Sequence, residues 1–239
     1  MNIGFLGSGH ITSSIIEGIF KSKLKIKKIY ISPRNKLISK KISKRFKKVT
    51  IAINNQQVID RSNWVFLAVT PQVGSKILSK LTFNKDKKII SFISTINSEK
   101  LKKYTKNRNI SRVIPLPFIG MRKGPIIICP KNNQLKNFFK HLGKVIELKN
   151  EKTSKAFWST SSFMASFYFL LNQTSNWLTS KGIKRKDAED YTRELFLALS
   201  EDAINKNKNS LKQLVLESQT PGGTNAYVLN FGIAWPLYR

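Results

Sequence analysis

The sequence predicts an α/β fold in which a parallel-sheet domain is followed by an all-α domain. A glycine-containing turn, Gly7-Ser8-Gly9, joins the first apolar strand to the first amphipathic helix. Short apolar runs then alternate with helical patterns of roughly ten residues as far as residue 150. Beyond that point only helical periodicities remain. We therefore expect a Rossmann-type domain at residues 1–150 and a helical domain at residues 151–239.

The strands of the first domain are predicted from short, mostly apolar runs. The run at 64–69, Trp-Val-Phe-Leu-Ala-Val, is continuous, as expected for a parallel strand covered on both faces. The predicted strands are 2–6, 28–31, 49–53, 64–69, 88–93, 110–114, 125–129 and 145–148. Apolar residues that recur on one helical face predict helices at 11–20, 35–46, 54–60 and 135–141.

The second half of the chain shows three helical periodicities, at 157–178, 185–204 and 211–216. The first of these carries five aromatic residues that require burial: Phe163, Phe167, Tyr168, Phe169 and Trp177. A second copy of the chain would cover them, although an ordinary intrachain core explains some of them equally well. We interpret residues 151–239 as a dimerisation and substrate domain.

The charge balance is strongly basic, with 43 lysines and arginines against 13 acidic residues and a net charge of +30. Nine of the basic residues are arginine, and the lysines are spread along nearly the whole chain. A protein that reads nucleic acid more often concentrates arginine and aromatic residues on one element. We therefore favour a solvated basic surface over a dedicated nucleic-acid face, which remains the weaker alternative.

The remaining composition bears on the compartment and on metal binding. No apolar stretch reaches the roughly 20 residues that a bilayer crossing needs, and the first residues lack the basic region of a signal peptide. A single cysteine, Cys129, has no partner for an internal disulfide. Two histidines without a cysteine pair argue against a zinc site. We expect a cytoplasmic protein without a bound metal.

The turn after the first strand has the features of a phosphate-binding loop. Gly7 permits a tight turn, and Gly9 lets the backbone approach a pyrophosphate. The helix that follows presents unpaired N–H groups and the positive end of its dipole. The third glycine of the fingerprint is replaced by Thr12. The placement at a strand-to-helix junction predicts dinucleotide binding.

The end of the second predicted strand favours NADP over NAD. An NAD site there usually holds the ribose hydroxyls with a carboxylate, whereas this chain has Ser32-Pro33-Arg34 and no acid nearby. Ser32 can hydrogen-bond a phosphate, and Arg34 can pair with it through two N–H groups. We predict NADPH as the cofactor.

Four segments in this order resemble the pyrroline-5-carboxylate reductase family. They are Gly7-Ser8-Gly9-His10-Ile11-Thr12, Phe66-Leu67-Ala68-Val69-Thr70-Pro71-Gln72, Arg112-Val113-Ile114-Pro115 and Thr220-Pro221-Gly222-Gly223-Thr224. The resemblance implies an NAD(P)H-dependent oxidoreductase acting on a C=N bond, most simply the reduction of 1-pyrroline-5-carboxylate to proline. It also implies a homodimer or higher homo-oligomer and a small anionic imino-acid substrate.

The same resemblance assigns roles to individual residues. The loop Gly7, Ser8, Gly9, His10, Ile11 and Thr12 would bind the pyrophosphate. Ser32 and Arg34 would hold the adenosine end, with Asn55 nearby. Ala68, Val69, Thr70 and Pro71 would line the nicotinamide ribose. Gly222, Gly223 and Thr224 would receive the substrate carboxylate, and Thr224 is the candidate catalytic residue because it can bond either the imine nitrogen or the carboxylate.

The chain departs from the family pattern in its substrate half. Ile114-Pro115-Leu116-Pro117 stands where members commonly have Met-Pro-Asn-Thr-Pro, so the asparagine expected beside the nicotinamide is missing. Ser161-Ser162-Phe163-Met164 replaces a small, glycine-rich turn, and Thr70 stands where lysine is usual. These departures leave two alternatives open: a reductase of a related imine or carbonyl compound, and a non-catalytic NADP-binding dimer.

Overall fold

Eight strands form a single sheet in the first part of the chain. The computed structural model describes residues 1–220 and 223–225. The strands are β1 Asn2–Leu6, β2 Lys28–Ile31, β3 Val49–Ile51, β4 Trp64–Leu67, β5 Lys88–Ser91, β6 Ile110–Ile114, β7 Pro125–Cys129 and β8 Lys144–Glu147. Their order is β3-β2-β1-β4-β5-β6-β7-β8. The predicted Rossmann-type class is confirmed.

The last two strands reverse the direction of the sheet. Strands β1 to β6 run parallel, whereas β7 pairs antiparallel with β6 and parallel with β8. The reversal follows from the connection, since only a short 3-10 turn at Pro117–Met121 separates β6 from β7. A parallel crossover requires a dozen or more residues. The sheet is therefore mostly parallel rather than entirely so.

Helices cover both faces of this sheet. They are α1 His10–Lys21, α2 Lys36–Arg45, α3 Asn55–Asp60, α4 Pro71–Ile77, α5 Ser98–Thr105, α6 Asn133–Phe139 and α7 Ser154–Thr160. Ile3 and Phe5 of β1 belong to the apolar cluster on one face, and Leu6 belongs to the cluster on the other. Burial on both faces explains the continuous apolar runs in the sequence.

The strands predicted at 49–53, 64–69, 88–93 and 145–148 each end one or two residues earlier in the structure. β4 stops at Leu67 and β5 stops at Ser91, so residues 68–69 and 92–93 lie in loops. Both loops leave the carboxyl edge of the sheet, where α/β proteins of this type bind their ligands. The shortening therefore moves Ala68 and Val69 from the sheet to the region of the predicted cofactor site.

Contacts divide the chain into two units, Met1–Ser161 and Ser162–Arg239. The helix predicted at 157–178 is two helices, α7 in the first unit and α8 Phe163–Ser180 in the second. The domain boundary predicted at residue 150 precedes α7, and the dimerisation and substrate roles given to the second half stay predictions.

The described part of the second unit consists of helices α8, α9 Arg185–Asn205 and α10 Leu211–Glu217. Ser175, Ala188 and Thr192 are buried where α8 and α9 pack together. Large apolar side chains nevertheless remain exposed, among them Phe163 at 68% and Phe169 at 55%. Within the described residues, no helix combines the length and the apolar character needed to cross a membrane.

Candidate cofactor site

The candidate site lies where the order of the strands changes direction along the chain. Strand β1 is flanked by β2 on one side and by β4 on the other, and all three run parallel. Loops that leave the carboxyl ends of β1 and β4 therefore turn to opposite faces of the sheet and leave a crevice between them. Doubly wound sheets bind dinucleotides in such a crevice.

The two glycines of the loop after β1 have different roles. Gly7 has φ +111°, and a Cβ there would lie 2.2 Å from the carbonyl oxygen of Ala68. Only glycine fits that position. Gly9, in contrast, has no heavy atom within 4 Å of an added Cβ. The fold does not require a glycine at position 9, whereas close approach of an anion to the backbone does.

The start of helix α1 is arranged to receive an anion. Gly9 is its N-cap, and no acidic residue lies in its first turn. The Ser8 hydroxyl is buried and has no hydrogen-bond partner among the described residues. Unpaired N–H groups, a positive dipole end and a free hydroxyl together suit a pyrophosphate. His10 is exposed and Ile11 is half-buried against the core.

Thr12 supports the loop from within. Its side chain is fully buried, and its hydroxyl donates a hydrogen bond to the Gly7 carbonyl at 2.9 Å. The sequence analysis placed Thr12 among the residues that contact pyrophosphate. The structure directs its hydroxyl to the loop backbone, which gives it a part in holding the loop in shape.

Ser32 connects the phosphate loop to the adenosine side of the site. Its hydroxyl accepts a hydrogen bond from the Gly7 N–H at 3.0 Å and donates one to Asn55 Oδ1 at 2.7 Å. The residue is only 2% exposed. The sequence analysis anticipated the proximity of Ser32 and Asn55, but it did not anticipate that they bond each other. Contact of either residue with the cofactor stays a prediction.

Two adjoining cavities occupy the crevice. One, of about 310 Å³, is lined by Gly7, Ser32, Arg34, Asn55, Val69, Gln72, Val73, Lys76 and Ile77. The other, of about 680 Å³, is lined by Gly7, Ser8, Gly9, Arg34, Asn35, Lys36, Ala68, Val69, Thr70 and Val73. The predicted residues after β1, β2 and β4 are thus brought together around one continuous region. Pro71 lies at the start of α4.

The cavities are basic. Among the described residues, neither lining contains a carboxylate, whereas Arg34, Lys36 and Lys76 each line one or both cavities. Arg34 is exposed and forms no ion pair within the described part of the chain. An unpaired guanidinium beside an acid-free crevice suits a phosphate better than ribose hydroxyls. This charge distribution supports the predicted preference for NADP.

Helix α4 supplies four lining residues that the sequence analysis missed: Gln72, Val73, Lys76 and Ile77. The helix was not predicted because it is only seven residues long and has a weak apolar period. Proline is common at the first position of helices, so Pro71 was the signal that could have found it.

The predicted substrate residues lie in the second unit and are only partly described. Gly222 lies outside the described residues. The Gly223 N–H donates to the Thr220 carbonyl at 2.8 Å, and Thr224 is exposed. Their assignment to the substrate carboxylate, and the catalytic role of Thr224, stay predictions.

We expect Thr12→Val to raise the Kd of NADPH about fivefold, because loss of one hydrogen bond of about 1 kcal/mol loosens the loop at Gly7. The matched control is Thr105→Val, since Thr105 is equally buried and donates to the Leu101 carbonyl at 2.8 Å, in α5. Both variants should lose similar unfolding free energy in urea. Equal NADPH affinity in the two variants would contradict a role for Thr12 in the loop.

Comparison with known proteins agrees with this site. A family model described as NADP oxidoreductase, coenzyme F420-dependent, matches residues 2–97. That range contains every residue that lines the two cavities, including the loop after β1, Arg34 and helix α4. The match bears out the predicted oxidoreductase class and the predicted NADP cofactor.

Relatives extend over nearly the whole chain. A curated pyrroline-5-carboxylate reductase of Staphylococcus epidermidis is 21% identical over 235 residues, which cover 94% of this chain and 86% of the relative. The structure of 1-pyrroline-5-carboxylate reductase from Streptococcus pyogenes matches with a TM-score of 0.81 at 19% identity, covering 97% of this chain and 90% of the other.

A third relative carries a bound nucleotide. Pyrroline carboxylate reductase of Plasmodium falciparum, solved with NADP bound, matches with a TM-score of 0.79 at 20% identity, covering 97% of this chain and 88% of the other. The two solved structures share the fold of this chain, and the curated relative is similar to it over most of its length, in agreement with the resemblance carried by the ordered motifs.

Proposed function

We propose that the chain reduces 1-pyrroline-5-carboxylate to proline with NADPH as the hydride donor. The observation that carries this proposal is the crevice at the carboxyl ends of β1, β2 and β4, in which Gly9 leaves open space and, among the described residues, no acid lines the walls and no ion pair engages Arg34. The reductase names of relatives that share the fold and most of its length supply the substrate.

The protein has to orient two anions and exclude water. NADPH supplies the hydride from C4 of its nicotinamide ring. The amides at the start of α1 and the guanidinium of Arg34 would hold its phosphates. These contacts would fix the position of the cofactor along the sheet edge. Ala68, Val69 and Thr70 would contact the ribose next to the nicotinamide. Orientation of this kind lowers a barrier without an acid–base pair.

The substrate is a ring with a C=N bond and a carboxylate. We assign the carboxylate to the segment Gly222, Gly223 and Thr224, in which the Gly223 N–H would exchange its bond to the Thr220 carbonyl for one to the substrate, since glycine-rich backbone offers donors to an anion without obstruction by side chains. Thr224 would also donate a hydrogen bond to the imine nitrogen as the hydride arrives at the adjacent carbon. This assignment rests on the resemblance of residues 220–224 to the family.

The test is the loss of NADPH absorbance when purified protein is mixed with 1-pyrroline-5-carboxylate, with proline identified as the product. Gly9→Asp protein, prepared in the same way, serves as the blank for any contaminating host reductase. Turnover by the natural chain and none by the variant is the expected result. A protein that binds NADPH but never turns over rejects the proposed reaction.

A second candidate substrate is favoured by one observation. Leu116, where the family commonly has asparagine, is a half-buried apolar residue that precedes the 3-10 turn Pro117–Met121. Replacement of an amide by an apolar side chain changes what a neighbouring ring can contact. A six-membered cyclic imino acid in the same assay distinguishes the two substrates by the ratio of their kcat/KM values.

We further propose that the chain works in the cytoplasm as a homodimer or higher homo-oligomer. Phe163, Phe167, Tyr168 and Phe169 on α8 are each more than two-fifths exposed. Exposed aromatic side chains concentrated on one helix commonly mark an interface between proteins. We propose that α8 of a second copy of the chain covers these side chains, because oligomers of identical chains are usually symmetric and bury the same surface of each copy.

We expect Phe169→Glu to shift the chain from dimer to monomer in sedimentation, because a carboxylate would be buried without a partner at the interface. Leu37→Glu is the matched control, since Leu37 on α2 is 81% exposed and belongs to the first unit. The control should sediment as the natural chain does. A monomeric natural chain would contradict the proposed assembly.

A further inference from the structure

One buried arginine of the first unit has no part in the site described so far. Arg112 lies on β6 and is only 5% exposed. Its Nη2 donates hydrogen bonds to the carbonyls of Ile93 and Ser94, at 3.0 and 2.6 Å. Both carbonyls belong to the 92–97 loop, which connects β5 to α5. The guanidinium therefore fixes the backbone of this loop at its first turn.

Glu151 completes the arrangement from a distant part of the chain. Its carboxylate pairs with Arg112 Nη1 and accepts hydrogen bonds from the Ser98 N–H, the first residue of α5. Burial alone raises the pKa of Glu151, but the hydrogen bonds from Ser98 and the charge of Arg112 outweigh it and lower the pKa below its ordinary value. The 92–97 loop is thus held at both ends, by Arg112 and by Glu151.

Stability alone does not account for this buried cluster. Arg112 Nε and Trp158 Nε1 are buried without hydrogen-bond partners among the described residues, although the guanidinium lies 5.9 Å from the Trp158 ring. Unpaired buried donors oppose folding, and apolar replacements of buried ion pairs are often at least as stable. What such a cluster contributes is a defined geometry for the groups that it bonds.

The loop that it holds lies beside the cofactor site. A Cβ built on Gly74 of α4 would have the side chains of Ile93, Ile96 and Val69 as its nearest neighbours. The 92–97 loop and Val69 therefore pack against the same glycine. Val69 lines both cavities. Strand β5 is also the neighbour of β4, so its loop follows the nicotinamide-ribose segment along the sheet edge. The adenosine end lies on the other side, at β2.

The structure assigns Arg112 a positioning role: by holding the carbonyls of Ile93 and Ser94, it fixes the 92–97 loop as a wall for the nicotinamide half of NADPH. The inference rests on the proposed function. It predicts that Arg112 acts on hydride transfer and leaves binding of the adenosine half unchanged, because its hydrogen bonds go to Ile93, Ser94 and Glu151 and to no residue of the adenosine side.

The experiment compares Arg112→Met with Arg122→Met. Arg122 also bonds two backbone carbonyls, those of His141 and Lys21, but it lines neither cavity. Each variant is measured by circular dichroism for folding, by titration with 2′,5′-ADP as the adenosine half, and by turnover with NADPH. Arg112→Lys is included because an ammonium can replace some of the guanidinium bonds.

For folded Arg112→Met we expect a kcat about tenfold lower, with the Kd of 2′,5′-ADP within about twofold of the natural chain. Arg112→Lys should recover part of the kcat, and Arg122→Met should keep both values. Equal kcat in the two methionine variants overturns the inference. So does a Kd of 2′,5′-ADP that rises as much as kcat falls, since the effect would then be global.

The experiment can also yield an unfolded variant or an inactive natural chain. If Arg112→Met does not fold, Glu151→Gln is judged by the same criteria, because it keeps an acceptor for the Ser98 N–H and removes the charge that pairs with Arg112. If the natural chain itself shows no turnover, the proposed function fails together with this inference. Turnover by the natural chain is therefore measured first, before the variants are compared.

Discussion

Gly9→Asp abolishes NADPH binding and leaves the fold intact. The new carboxylate stands at the N-cap of α1, where the pyrophosphate would lie, and two anions cannot share the same N–H donors. Aspartate at an N-cap otherwise stabilises a helix by roughly a few tenths of a kcal/mol relative to glycine. Binding and stability should therefore change in opposite directions, with a Kd raised by about a hundredfold or more.

The control series at this position separates charge from size. Gly9→Ala adds a methyl group to open space and should lower the unfolding free energy by about 1 kcal/mol at most, because alanine is a poorer N-cap than glycine. Gly9→Asn has the size of aspartate without its charge and should weaken NADPH less than Gly9→Asp does. Calorimetric titration gives the three Kd values. An aspartate variant that binds NADPH as tightly as the alanine variant would show that the loop was wrongly assigned.

Arg34→Ala weakens NADPH far more than NADH. The guanidinium lines both cavities and has no ion pair among the described residues, so its charge is available to the 2′-phosphate. A charge-assisted hydrogen bond contributes about 1.5–3 kcal/mol, which predicts a loss of about ten- to a hundredfold in NADPH affinity. NADH lacks the 2′-phosphate, so its Kd should change by about twofold at most.

Arg108→Ala is the matched control for this prediction. It removes the same charge from an exposed arginine that lines neither cavity, so it reports the effect of net charge alone. Its ratio of NADH to NADPH dissociation constants should equal that of the natural chain. Equal losses of NADPH and NADH affinity in Arg34→Ala would remove the argument for NADP specificity.

The strands and the phosphate loop could be predicted from local sequence because their signals are local. Ile3, Phe5 and Leu6 are fully buried, so both faces of β1 are apolar and the strand stands out from its polar surroundings. The Gly7 turn needs a positive φ, which only glycine adopts without strain. These two features determine where the dinucleotide crevice lies.

Two short helices that bury few residues could not be predicted in this way. Helix α5 buries only Leu101 and Thr105 among its eight residues, and α4 buries only Gly74. Helices of two turns contain too few apolar residues to establish a period and depend on packing against the rest of the fold. The direction of β7 likewise depends on the short connection from β6. The apolar pattern of a single strand contains no information about that direction.

Tertiary hydrogen bonds account for the rest of the site. The sequence analysis placed Ser32, Asn55 and Thr12 near the cofactor, but their bonds to one another and to Gly7 depend on the folded loop. Arg112 and Glu151 are 39 residues apart, and no spacing rule joins them. Buried polar partners of this kind become visible only when the chain is folded.

Isothermal titration of the natural chain with NADPH tests the central claim most directly, with NADH and the Gly9→Asp variant as comparisons. The account predicts one NADPH bound per chain, weaker binding of NADH, and no binding to the variant. Absence of any heat from either nucleotide, in protein that circular dichroism shows to be folded, would contradict the assignment of the crevice to a dinucleotide and every proposal built on it.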